Sequence, residues 1–195
     1  MGKKERIVGT CDSGIGPEGI RFNCLPQVVK ELCGMFRNGG RTCHIEPVPI
    51  PSKDGIVDLV LKLQQVLFPG YFTEMILTPE NLEYHLGQKL SVLYERIALQ
   101  VGSAIRHDCF RHNQSCSNCG ERSYQIAEVF IDSLPAIRER LESDIEATLI
   151  GDPAAANADE VVFSYPGLFA TMVYRLAHRL FELEVPIIPR IMSEY

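Results

Sequence analysis

Beyond residue 52, apolar side chains recur every three or four positions along most of the chain, which predicts amphipathic helices rather than strands. Ser52 or Asp54 is placed to cap a first such helix carrying Ile56, Val57, Val60, Leu63, Val66 and Leu67, ended by Pro69-Gly70. A second begins near Pro79, a residue suited to a first helical position, and repeats Leu82, Leu86, Leu90, Leu93, Ile97, Val101 and Ile105. A stripe of that length needs a packing partner, which is either the core of this chain or a second subunit. A polar, Cys-containing stretch from His107 to Arg122 interrupts the pattern. Periodicity resumes at Ile126, Val129 and Phe130, restarts at Pro135, and continues through Ile137, Leu141, Ile145 and Leu149 to a stop at Gly151-Asp152-Pro153. A further helix is predicted from about Pro166 to Glu184 with Leu168, Met172, Leu176, Leu180 and Leu183 on one face, and a short last one from near Pro186. No alternating run exceeds four residues, so the predicted class is mainly α, a helical bundle-like domain.

The amino-terminal part differs. Residues 1–46 are rich in Gly, Pro and Cys, with one persuasive helical stretch at Pro26–Phe36, and Gly39-Gly40 followed by Pro47, Pro49 and Pro51 forms an extended linker. The expected organisation is an amino-terminal segment, 1–46, and a helical domain, 47–195.

Composition narrows the function. A net charge of −6 and a pI near 5.4 argue against a phosphate-backbone binder, so nucleic acid is not an expected partner. The charged start Lys3-Lys4-Glu5-Arg6 is not followed by a signal-peptide apolar run, and no stretch approaches the roughly 18 apolar residues of a membrane span. No membrane contact is expected, and the cytoplasm is the expected location. Seven scattered cysteines fit a reducing compartment better than a disulfide framework.

Four local features carry possible chemistry. Cys109, Cys116 and Cys119 lie close to His107 and His112, and the Cys-x-x-Cys spacing lets two thiolates reach one tetrahedral metal. Cys109 has no matching partner pair, so the expectation is a loop of reduced thiols with no metal site assigned, a metal or a redox pair being the alternatives. The Asp12-Ser13-Gly14 turn slightly resembles the opening turn of glutamate racemases but lacks their repeated βα pattern, and it reads as a terminal Gly-rich turn. His178 falls at the edge of an apolar stripe, one helical turn after Arg175, and reads as a boundary residue. Asp152 sits between Gly151 and Pro153 in a stiff turn. Local physics makes it a helix stop, while the same carboxylate could pair with the ammonium of an amino acid.

The run Leu141-Glu-Ser-Asp144-Ile-Glu-Ala-Thr-Leu-Ile-Gly151-Asp152-Pro153-Ala154-Ala155 leads into Ser164-Tyr-Pro-Gly167-Leu-Phe-Ala170, Tyr174-Arg175-Leu-Ala177-His178 and Ile188-Pro-Arg190-Ile191. In order and spacing it resembles the serine O-acetyltransferases. Val66–Tyr71 and Leu134-Pro135-x-Ile137-Arg138 resemble the longer bacterial form of that family. The resemblance implies an enzyme that makes O-acetyl-L-serine from L-serine and acetyl-CoA, the step that commits serine to cysteine synthesis. It also implies feedback inhibition by L-cysteine, a homo-oligomer (trimer or hexamer), a partner O-acetylserine sulfhydrylase held through a carboxy-terminal tail, and Asp152 as the carboxylate that binds the amino group of serine. In the family, a His oriented by an Asp removes the serine hydroxyl proton, within a left-handed parallel β-helix that also holds acetyl-CoA. This chain reaches Tyr195 without those segments. The expectation is therefore an amino-terminal helical part of such an enzyme, inactive by itself, with no catalytic residue, no cofactor site and no metal site of its own. A non-catalytic helical oligomerisation module, or a metal-binding regulator built on Cys109, Cys116 and Cys119, are the alternatives.

Overall fold

The computed structural model describes residues 25–37, 43–45 and 49–195 of the chain. The Asp12-Ser13-Gly14 turn, Gly39-Gly40 and Pro47 lie outside these described residues. The chain divides into two compact units, Met1–Glu46 and Pro47–Tyr195. The first contains helix α1, Leu25–Arg37, along which Val28, Val29, Leu32, Met35 and Phe36 recur at helical spacing.

The second unit is built of helices, with no strand among the described residues. Helix α2, Lys53–Leu67, opens on Ser52, whose hydroxyl accepts the Gly55 N–H at 3.1 Å and so satisfies one of the unpaired donors of the first turn. It closes at Phe68, and the chain reverses through Gly70, whose φ of +88° favours a residue without a Cβ. Helix α3, Pro79–Arg111, starts with Thr78 and Asn81 in a capping box and Pro79 in the first turn. It runs antiparallel to α2: Gln100 accepts the Ser52 N–H, Arg96 pairs with Asp58, and Lys89 donates to Gln65.

The chain then folds back through helix α4, Cys119–Asp132, against the end of α3. Where the two helices approach, a Cβ on Gly102 would stand 3.2 Å from Ser123 Oγ, so the small residue is what allows the close crossing. Helix α5, Leu134–Gly151, follows with Pro135 in its first turn. Helices α6, Ala158–Ser164, α7, Pro166–Glu182, and α8, Ile188–Ser193, complete the unit.

Two differences from the sequence expectation have simple causes. The interruption at 107–122 is shorter than predicted: α3 continues through His107 to Arg111, and α4 starts at Cys119. Polar residues there obscure the period because that end of α3 faces solvent over much of its circumference. Helix α6 is two turns long, too short to show a period, and is marked instead by Asn157, which caps it by accepting the Glu160 N–H at 2.8 Å.

The core is continuous. Ile56, Val60 and Leu63 of α2, Leu93, Ile97 and Val101 of α3, Phe130 of α4, Leu141 of α5 and Met172 and Leu176 of α7 are buried together with Ile188 and Met192 of α8. Burying each such side chain contributes about 1.5–3 kcal/mol relative to leaving it in water. The long apolar stripe of α3 is thus resolved in its second half: Leu93, Ile97, Val101 and Ile105 join the intramolecular core. Leu82, Leu86 and Leu90 are half-buried. No described helix is long and apolar enough to cross a membrane.

Two segments that resemble the longer bacterial form meet in space. The Arg138 guanidinium of α5 lies over the Phe68 ring, 5.2 Å from its centroid. The adjoining Tyr71 hydroxyl donates to Asp159 Oδ1 at 2.6 Å, which ties the turn after α2 to α6.

Candidate functional site

Asp152 is the residue that ends α5: its backbone N–H donates to Thr148 O at 2.9 Å and its extended φ/ψ leaves the helix. The side chain turns back on its own loop. Oδ1 accepts the Ala154 N–H at 2.9 Å, the geometry of an Asx turn, and Oδ2 accepts the Tyr165 hydroxyl at 2.9 Å. Tyr165 is the residue that caps α7, so a single carboxylate holds the end of one helix to the beginning of another. An ionised carboxylate offers about four lone-pair sites. Two are engaged here, and the remaining acceptor capacity sits on a half-buried, conformationally fixed group.

The hydrogen bond from Tyr165 to Asp152, with a smaller contribution from desolvation, raises the phenol above its ordinary range. The sign follows: the contribution of this bond to stability is fully present below the unfolded phenol value of about 10 and is lost as pH rises through the higher folded value. Tyr71 and Tyr124 are raised the same way, by hydrogen bonds to Asp159 and Glu95. Thermal melts between about pH 8 and about pH 11 are therefore expected to show an alkaline loss that Tyr165→Phe makes shallower without abolishing. An identical slope in the two proteins would contradict the Tyr165–Asp152 bond.

Two turns further back, Asp144 of α5 and Arg175 of α7 form a two-pronged pair. Arg175 Nε donates to Oδ2 at 2.8 Å and Nη2 to Oδ1 at 2.7 Å. Both side chains are about one-quarter exposed. The bond to Asp144 pushes the guanidinium upward from its already high ordinary value, so it remains charged. Asp144 and Arg175 belong to two motifs that the sequence shows separately, and the fold joins them across the antiparallel α5–α7 contact. Tyr165, thirteen residues from Asp152, carries no local sequence signal of its role; its position before Pro166 reads as a helix start and nothing more.

His178 lies one turn beyond Arg175 on α7. Its ring stacks between Tyr174, at 5.7 Å, and Phe181, at 6.4 Å, and Nε2 lies 3.3 Å from Glu182 Oε1. With Arg140, Arg175 and Arg179 it lines a cleft of about 280 Å³ between α5 and α7. Asp152 does not line this cleft, which occupies the other end of the α5–α7 contact. Arg175 is committed to Asp144 and Arg179 to Glu182, so most of the positive charge is already matched.

The three cysteines do come together. Cys116 and Cys119 are joined by a disulfide, with Cα atoms 5.7 Å apart, and Cys109 Sγ lies 3.9 Å from Cys119 Sγ. The expected loop of reduced thiols is in this respect different: two of the three are paired. His112 is turned away, with Nδ1 on the Asp108 carbonyl at 2.9 Å.

No family model matches the chain. It is 32% identical over 151 residues to a plasmid-borne serine acetyltransferase of Synechococcus elongatus, an alignment covering 75% of this chain and 47% of that protein. It is 47% identical over 53 residues to a serine acetyltransferase of Synechocystis, covering 27% of this chain and 21% of that one. The fold is similar to that of Entamoeba histolytica serine acetyltransferase 1, with a TM-score of 0.55 at 24% identity, covering 88% of this chain and 58% of that structure. A structure of the same Entamoeba protein in complex with L-cysteine matches with a TM-score of 0.56, again at 24% identity, covering 88% of this chain and 57% of that one. The chain spans about half the length of that Synechococcus elongatus relative. The chain is thus similar in sequence to serine acetyltransferases over 151 residues, and its helical fold is similar to that of their solved structures.

Proposed function

We propose that this helical domain serves O-acetylation of L-serine by acetyl-CoA, with Asp152 supplying the carboxylate that receives the amino group of serine and of L-cysteine as inhibitor. The observation that carries the reading is the similarity to serine acetyltransferases across 151 residues. The geometry of Asp152 supports it. The group is rigid, ionisable and half-buried, and it keeps acceptor capacity after binding Ala154 and Tyr165. An ammonium placed against it gains a charge-assisted hydrogen bond. Acetyl transfer itself, with its general base and coenzyme A groove, we assign to the β-helix that the family resemblance implies. By itself this chain is expected to be inactive. Self-association into trimers or hexamers, and a contact with O-acetylserine sulfhydrylase, belong to the same proposal.

A second reading has a specific observation in its favour. Both Asp152 oxygens already serve the fold, and on this reading any acceptor that closes α5 onto α7 replaces the residue in function. Asp152→Asn separates the two readings, because the amide oxygen still accepts a hydrogen bond while the charge is gone. In the full-length acetyltransferase, the substrate role predicts a serine KM raised by roughly 10- to 100-fold, from the 1.5–3 kcal/mol that a hydrogen bond to a charged group contributes, together with weaker cysteine inhibition. Unchanged KM and inhibition, with an altered melting temperature, would assign Asp152 to structure alone.

A further inference from the structure

We propose that Cys109, Cys116 and Cys119, in their reduced form, bind one soft divalent metal ion, zinc, at the α3–α4 corner. The sequence alone argues weakly for such a site, because Cys109 stands apart from the Cys-x-x-Cys pair. The fold removes that objection. Helix α3 carries Cys109 in its last turn, the chain reverses through residues 112–118, and Cys119 opens α4, so the three sulfurs lie within 4.8 Å of one another. Tetrahedral zinc with bonds of about 2.3 Å to sulfur requires sulfurs about 3.8 Å apart. The Cys109–Cys119 separation of 3.9 Å meets this requirement with both residues anchored on helices. Cys116, on the intervening loop, is exposed and supplies both the third donor and the route of entry.

Burial grades across the cluster as a metal site needs. Cys119 is buried, Cys109 is half-buried and Cys116 is open to solvent, so the ion would sit at the edge of the core with its fourth position facing water. Three thiolates and a dication carry a net negative charge, which is favoured near the positive end of the helix dipole that begins at Cys119. Thiolate donors select zinc over hard cations such as magnesium and calcium. The Cys116–Cys119 disulfide consumes two of the three donors, so metal binding and the disulfide exclude each other.

The test begins with the 195-residue chain reduced by a water-soluble phosphine, which takes up the oxygen of one water as the disulfide becomes two thiols. The phosphine is then removed without air. Cobalt(II) chloride is titrated in, followed by zinc chloride. The proposal expects sulfur-to-cobalt charge-transfer bands and intense tetrahedral ligand-field bands that saturate at one metal per chain and vanish when zinc displaces cobalt. Cys116→Ser, at an exposed position that leaves the core intact, is expected to weaken cobalt binding by more than the roughly tenfold that even outer-shell changes cost a metal site. Cys109→Ser is expected to do the same with the far-ultraviolet helical signal unchanged. Reduced wild-type protein without charge-transfer bands would overturn the proposal, as would a Cys116→Ser variant that binds cobalt like the wild type. Either result would leave the cluster as a dithiol pair beside an unrelated thiol.

Discussion

Phe130→Ala is expected to lower the free energy of unfolding by about 3–5 kcal/mol, the range for truncating a buried aromatic ring. Phe130 is fully buried, and it meets Ile56, Leu59 and Leu63 of α2 and Ile97 and Val101 of α3 around a void of only about 10 Å³. Leu180 of α7 and Ile188 and Met192 of α8 border the same space. The ring therefore seals a junction of elements from both ends of the unit. The cost combines the lost transfer free energy of the ring with the cavity term. At roughly 2–4 °C per kcal/mol for a chain of this size, the melting temperature should fall by on the order of 10 °C. Urea unfolding should show a lower midpoint at an unchanged slope. Ile150→Ala, at a position 80% exposed, is the control and should stay within about 0.5 kcal/mol. A Phe130→Ala protein as stable as that control would mean that the core is not arranged around α4 as described.

The Asp144–Arg175 pair carries the second large expectation. Removing either partner alone, as in Asp144→Leu or Arg175→Leu, is expected to cost about 2–3 kcal/mol, because the remaining charge is three-quarters buried and loses two short hydrogen bonds. This is below the cost of breaking a fully buried pair, since water still reaches both groups and screens them. The double variant should be more stable than the sum of the single effects predicts, as two apolar side chains at a half-buried contact leave no uncompensated charge. Additive single effects would mean that the two side chains do not interact. Arg175→Lys is expected to behave more like the leucine variant than like the wild type. An ammonium is a point donor and does not reproduce the parallel pair of bonds to both Asp144 oxygens. The pair has a consequence for the candidate site. It lies on the same α5–α7 contact as Asp152 and Tyr165, so its loss should also loosen the register that brings the Tyr165 hydroxyl onto Asp152.

The helices were legible in the sequence because their causes are local. The 3.6-residue period of Leu93, Ile97, Val101 and Ile105, the capping hydroxyl of Ser52 and the positions of Pro79, Pro135 and Pro166 each act within a few residues, and the structure places helix starts at those points. The motif residues Asp144, Asp152 and Arg175 were legible as a family resemblance for a related reason, since their spacing along the chain is itself the signal. What failed locally was α6, too short to show a period, and the extension of α3 past His107, where polar residues hide one.

Pairings between distant residues are a different kind of information. Nothing in the sequence around Tyr165 marks it as the partner of Asp152, nothing around Asp144 marks Arg175 as the group thirty-one residues away that answers its charge, and nothing near Cys109 indicates that a helical reversal sets its sulfur beside that of Cys119. These contacts depend on which helix faces cross and in what register, and that is settled by burying the whole core at once around residues such as Phe130 and Leu141. The sequence by itself determined a mainly helical chain with a carboxylate in a stiff turn and three cysteines in one neighbourhood. Tertiary packing alone decided that the carboxylate is clamped between two helices and that the three sulfurs converge, because hydrophobic burial is non-directional and leaves the choice of partners to the shapes that fit.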